Sequence, residues 1–294
     1  MKRFPSFPII LLGALGISVL SFPSCSEKNE FEYHDEAASG QMVFNAIDQN
    51  GNVSAIAQGT SVGVYVVGED GNVTLHGLAV DGDGRVVVPT SSRSDSIVAY
   101  IPFQEGWGVD AFFSYPLFSV LTDQSIQEQY DASDLMIGSC GPSTGEKVDS
   151  ITFRHVLSKV AIHVIDETGH LALDQISVKL LNVNHRVEVD LPQQRVMTID
   201  KERSDILMLS KVTTDWRISS YAIVAPQDIS DGTLFFTVML NDKEFTYPIP
   251  QATTLQSGKT YTINLRLKFY GLVPDGWYIT DWDEVNETNI DVQL

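Results

Sequence analysis

Apolar residues in this chain recur with a period of two far more often than with the 3.6-residue period of a helix. No other feature narrows the fold as much, because alternation suits a sheet with one buried face. The clearest stretch is 260–267: Tyr261, Ile263, Leu265 and Leu267 share one face, and Thr260, Thr262, Asn264 and Arg266 the other. Segments 234–240 and 243–249 flank Asn241-Asp242, which reads as a hairpin turn. Further strands are predicted over 42–47, 62–67, 96–101, 155–165, 176–183 and 221–224. Turn signals separate them at Asn50-Gly51, Asp70-Gly71, Asp81 to Gly84 and Asp231-Gly232. One or two helical turns are predicted near 123–130, where Ser125 and Glu128 have capping-box spacing. The expected class is all-β, built of β-sandwiches with little helix. A Gly/Ser/Pro-rich patch at 138–145 reads as a boundary, giving an N-terminal sandwich over 41–148 and a C-terminal one over 149–294.

The N-terminus sets the compartment. Met1-Lys2-Arg3 precede an apolar stretch from Phe7 to Leu20, followed by Ser24 and Cys25. A basic head, an apolar centre and a small residue before the cut make residues 1–24 a secretory signal, too short for a comfortable membrane span. Cys25 is placed like the lipobox cysteine of bacterial lipoproteins, though Phe22 and Pro23 are not its usual letters. Acylation there would anchor the chain, each buried methylene adding about 0.8 kcal/mol. The other reading is ordinary cleavage, with Cys25 free or paired to Cys140. If Cys25 is acylated, Cys140 reads as an unreactive thiol in a loop. Residues 25–40, with Glu27, Glu30, Glu32, Asp35 and Glu36, form an acidic tether. They resemble the surface-export signal of Bacteroidetes lipoproteins and equally suit a plain solvated linker.

Several chemistries are excluded or weakened. Nineteen basic against 38 acidic side chains, a net charge of −19, leave nothing to replace phosphate counterions, so no nucleic-acid partner is expected. Two cysteines are too few for a disulfide scaffold or a cysteine-built zinc site. Asp48 to Asn52 and Asp81 to Gly84 look calcium-like but fail the EF-hand positions, and read as turns. His155 and His163 would lie about 26 Å apart along one strand, too far to share a metal. No His-Glu-x-x-His, Gly-x-Ser-x-Gly or phosphate-binding loop is present, so no cofactor, no metal and no enzymatic activity are expected. Trp107, Trp277 and Trp282 form a candidate ligand platform for a glycan or host protein, with core packing as the alternative. The closing residues alternate, with Ile290, Val292 and Leu294 on one face. They form either a last strand of the chain's own sheet or a strand donated to a neighbour.

Four stretches together resemble the fimbrillin family, the type V pilins and related surface lipoproteins of Bacteroidales. They are residues 122–136, ending Asp134-Leu135-Met136; Phe153-Arg-His-Val-Leu-Ser-Lys-Val160; Gly258-Lys-Thr-Tyr-Thr-Ile-Asn-Leu265; and Ile279-Thr-Asp-Trp282. The resemblance implies two tandem transthyretin-like sandwiches and a non-enzymatic role in adhesive fimbriae at the outer membrane. It also implies partners that are other fimbrial subunits, joined by β-strand addition. In polymerising members a cut after a basic residue removes the first strand, and a strand of another subunit fills the groove. Between Cys25 and Arg85 this chain has only Lys28 as a basic residue. No such residue stands where loss of the first strand alone would need it. The expectation is a lipid-anchored anchor or accessory subunit, or maturation by a protease of other specificity.

Overall fold

The computed structural model describes residues 41–47, 56–89, 95–141, 149–166, 176–213, 217–249, 251–268 and 271–282. The chain is all-β, as the alternation demands. Among these residues the only α-helix is Gln127–Ser133, and a single 3-10 turn spans Val109–Phe112. The helix begins later than its sequence signal, and its capping box is not made: Ile126 stands at the N-cap without a side-chain bond. Ser125 instead turns its amide and hydroxyl back onto Asp123 Oδ1, at 3.0 and 2.6 Å, a local bond that competes with a cap.

The first half is a sandwich of two sheets. A five-stranded antiparallel sheet runs Val73–Ala79, Ser61–Val67, Ser96–Ile101, Met136–Cys140, Arg154–His155. Over it lies a three-stranded sheet in the order Arg85–Pro89, Gln41–Ile47, Asp149–Thr152. Val62, Val64, Val66, Ile97, Ala99 and Ile101 from the first meet Val86, Val88 and Ile151 from the second in one apolar core. The sheets approach closely where Gly138 passes Thr152: a Cβ there would lie 2.6 Å from the Thr152 carbonyl oxygen. Gly138 of the Gly-rich patch thus serves close packing, and Cys140 ends a buried strand instead of lying in a loop.

The five-stranded sheet is buried on its other face too, which is why Ser96–Ile101 is buried at every position. There Tyr65, Tyr100, Trp107 and Phe112 pack together, with tilted rings whose centroids are 4.8 Å apart for Tyr100–Trp107 and 5.3 Å for Tyr65–Phe112. Gly63 makes room: its absent side chain leaves the strand surface free for the Tyr100 ring, whose Cζ would be 2.1 Å from a Cβ.

In the second half a five-stranded sheet runs Leu209–Thr213, Arg217–Val224, Ser158–Asp166, Lys259–Lys268, Gly271–Asp281, with Ser158–Asp166 and Lys259–Lys268 parallel. It packs on a four-stranded sheet ordered Arg203–Leu207, Ile176–Asn184, Leu234–Leu240, Lys243–Pro248. The hairpin joining the last two turns through Asn241 and Asp242, both left-handed at φ +48° and +63°, a type I′ turn that matches strand twist. Gly271–Asp281 escapes sequence reading because Pro274-Asp275-Gly276 looks like a turn. It is a bulge in an edge strand, where a register shift leaves Asp275 free to bind Arg266 at 2.6 Å.

The halves interlock across the expected 148/149 boundary. Leu117–Ser119 adds an edge to the Arg186–Asp190 and Arg195–Thr198 hairpin. Gln124, fully buried, bonds both the amide and the carbonyl of Ile223 at 2.8 Å. In the other direction, Asp149–Thr152 and Arg154–His155 pair with strands of the first half.

The four stretches that carry the family resemblance converge at this joint. Phe153 belongs to the first core, and Val156, Leu157 and Val160 to the second. Between them His155 Nδ1 meets Asp134 Oδ1 at 2.8 Å, and its ring lies flat on Trp282, 4.2 Å between centroids. Lys159 Nζ sits 5.5 Å from the Trp282 ring, and the Gly258 amide donates to the Leu157 carbonyl at 2.7 Å. The Trp282 amide in turn donates to the Gly258 carbonyl, and Lys259 pairs with Asp281.

Trp282→Ala removes the lid of the joint and is expected to cost about 3 kcal/mol in urea unfolding, with Trp282→Phe losing much less. A second expectation concerns His163, whose Nδ1 lies 2.7 Å from Ser219 Oγ. Burial first, then the charges of Arg217 and Lys159, hold its imidazole down at about 4 from the ordinary 6.5. Unfolding between those values takes up a proton, so stability is complete above pH 6.5 and is lost as pH falls toward 4, by about 1.4 kcal/mol per unit. His163→Gln should flatten that decline; an unchanged slope would refute the assignment.

Candidate functional site

The feature with the clearest chemical capacity is the position of the first strand. Gln41–Ile47 is the middle strand of its sheet, antiparallel to Arg85–Pro89 and parallel to Asp149–Thr152. Its register runs from Gln41 opposite Pro89 to Asn45 opposite Arg85, and on the other side from Phe44 opposite Asp149 to Ile47 opposite Thr152. The five-stranded sheet beneath supplies a floor of Val and Ile side chains, and Val86, Val88 and Ile151 supply apolar walls. Each neighbour therefore depends on this one segment for a row of backbone hydrogen bonds. Without it, two strand edges and the apolar core between the sheets would face water.

Arg85 marks one end of this slot. It is buried, opens the strand Arg85–Pro89, and its amide donates to Asp81 Oδ1 at 2.8 Å while its carbonyl accepts from the Asp81 amide at 2.9 Å. A protease acting after Arg85 would have to open that turn and lift a strand from the core. The Asp81–Gly84 segment is thus a structural turn: Asp81 Oδ1 also takes the Asp83 amide at 2.9 Å, and Gly84 has φ +77°.

The sequence-nominated platform is not a platform. Trp107, Trp277 and Trp282 are 8%, 6% and 6% exposed. Trp107 covers the second face of the first half's sheet and donates through Nε1 to the Leu117 carbonyl at 3.3 Å. Trp277 lies 6.2 Å from Tyr261 in the second core, and Trp282 covers His155. Their large apolar area is worth more in packing than at the surface, so the packing alternative is the one realised. Cys25 and the segment carrying Ile290, Val292 and Leu294 lie outside the described residues. Cys140 is 1% exposed.

Among the described residues no group of three or more His, Cys, Asp or Glu side chains could hold a metal ion, and no helix is long and apolar enough to cross a membrane. The slot was legible only in part: the first strand was predicted, but its central place and its two partners involve pairings about forty or more residues distant, which periodicity does not encode.

Comparison with known proteins agrees with this architecture. No curated protein matches the chain. A candidate cell adhesion protein of Bacteroides uniformis superposes with a TM-score of 0.60 at 16% identity, over 84% of this chain and 100% of its own. One from Bacteroides ovatus gives 0.62 at 15% identity, over 84% and 98%. The tip fimbrial protein Mfa3 of Porphyromonas gingivalis, truncated at its C-terminus, gives 0.52 at 10% identity, over 82% and 99%. At such identities the likeness establishes a shared fold. A family model described as fimbrillin-like matches residues 46–282, from within the first strand to the tryptophan that closes the joint. The chain belongs to the fimbrillin-like family.

Proposed function

We propose that this protein is a structural, non-catalytic subunit of adhesive surface fimbriae, held at the outer membrane through a lipid on Cys25 and joined to other subunits by strand donation. The observation that carries the reading is the slot of Gln41–Ile47. A segment at the N-terminal end of the described chain fills the middle of a sheet above an apolar core. Such a strand can be replaced by another of similar alternation with little change elsewhere, because the two flanking strands and the floor belong to other parts of the chain. The closing segment with Ile290, Val292 and Leu294 has a suitable alternation to serve as donor. Fimbrillin-like membership and the fold shared with a tip fimbrial protein support the same reading.

An anchoring or accessory place is favoured over a polymerising one. Arg85 is the first Lys or Arg after Lys28, and it is buried beside the slot rather than offered for cleavage.

Two measurements test the proposal. Mass spectrometry of the mature protein is expected to find diacylated Cys25. A new terminus near residues 45–55 would assign it to the polymerising class instead, and a mature protein whose Cys25 carries no lipid would defeat the anchor. Separately, a chain beginning after Ile47 is expected to self-associate and to be stabilised by a synthetic peptide of residues 285–294. A monomeric, undestabilised truncation, or indifference to the peptide, would contradict strand donation.

A further inference from the structure

Among the described residues, five of the exposed large apolar side chains fall within residues 109–121. Val109, Phe113, Tyr115, Leu117 and Leu121 follow one another along the stretch that ties the two halves together. Single exposed apolar residues need no explanation, but exposed aromatic rings grouped at one depression are a mark of a binding surface. Two of them, Phe113 and Tyr115, stand beside an open depression of about 410 Å³. Its opposite side is built by Val189, Asp190, Pro192, Gln193 and Arg195, from the hairpin turn that follows Arg186–Asp190.

The rings are presented outward by the backbone. Phe113 is 65% exposed and rests edge-on against Phe112, at 5.1 Å and 83°, which is itself packed on Tyr65. Tyr115 is 50% exposed and sits at φ +49° immediately before Pro116. A left-handed backbone is costly for a bulky side chain, and half-exposed Tyr115 gains little burial in return, a pattern associated with functional positions. The polar side of the depression is pre-set. The Asp190 carboxylate, 5% exposed, accepts from Arg195 Nε and Nη2 at 3.0 Å each and from the Gln193 amide at 3.2 Å. That fixes the guanidinium plane while leaving 63% of the Arg195 side chain accessible, and it neutralises the site's own charge.

We infer that this depression binds a neutral carbohydrate of one or two sugar rings. Aromatic faces take up the C–H face of a pyranose, and the remaining N–H groups of the Arg195 guanidinium and the Gln193 side-chain carboxamide offer hydrogen bonds to ring hydroxyls. The volume falls in the usual range for small-ligand sites. The paired Asp190 and Arg195 favour an uncharged ligand, and the net charge of −19 disfavours an anionic one. This inference does not depend on lipidation or strand donation.

The test uses saturation-transfer NMR on the mature chain with glucose, galactose, mannose, N-acetylglucosamine, lactose and maltose at millimolar concentration, and glucuronate as the anionic counterpart. At least one neutral sugar is expected to bind, with affinity falling about tenfold or more in Phe113→Ala and in Tyr115→Gly. Tyr115→Gly removes the ring but relieves the left-handed strain, so its melting temperature should not fall, which separates loss of the site from loss of the fold. Binding of none of the neutral sugars, or equal binding by both variants and parent, would overturn the inference. Glucuronate binding as tightly as its neutral counterparts would do so as well. So would a Phe113→Ala effect confined to self-association, which would make the patch a protein contact.

Discussion

Phe153 and Leu157 are four residues apart and end in different hydrophobic cores. The chain crosses from one core to the other over that short passage. A strand leaving one sandwich must enter the next without exposing either core, and its backbone groups must find partners on the way. The chain achieves this with a two-residue strand, Arg154–His155, paired to the first half, and by seating the His155 ring between Asp134 and Trp282. The residues that carry family resemblance are, on this view, conditions for joining two sandwiches. His155, Lys159, Gly258 and Trp282 serve the joint itself rather than a ligand. The Gly258 φ of +70° serves the same purpose, since the turn there lets its amide reach the Leu157 carbonyl.

The first strand illustrates a different economy. A central strand is ordinarily the most secure element of a sheet, because both its edges are paired. Here that security belongs to a segment at the N-terminal end of the described chain, close in space to strands that lie far along it. The arrangement makes the segment strongly held and at the same time separable, since nothing but the slot itself specifies which strand lies there. Apolar burial and two rows of backbone bonds are properties of any alternating strand of the right length. Specificity must then come from the backbone register against Arg85–Pro89 and Asp149–Thr152.

Much of this was legible before the structure. Alternation at 260–267 and the Asn241-Asp242 turn translate directly into observed strands and a type I′ hairpin, because both signals are local. What escaped detection was non-local or disguised. Ser96–Ile101 is buried on both faces, so its letters run apolar without revealing what covers them. Cys140 sits among Gly, Ser and Pro that read as a linker, yet Gly138 is there because a neighbouring strand passes too near for a side chain. The tryptophans were ambiguous by nature, since the same ring serves a core or a ligand, and only burial separates the cases. The depression beside Phe113 and Tyr115 carried no motif, because it is assembled from two segments joined in space by the Leu117–Ser119 pairing.

The direction of the first strand has a mechanical consequence. Gln41–Ile47 pairs with its antiparallel neighbour from Gln41 to Asn45 and with its parallel neighbour from Phe44 to Ile47. A tension applied to its N-terminal end therefore acts along the strand axis and loads both ladders in shear. The bonds must yield together instead of peeling singly from one end. A subunit pulled from that terminus would resist with its whole sheet, and the lifetime of the attachment would be set by the barrier to that concerted slip rather than by equilibrium stability.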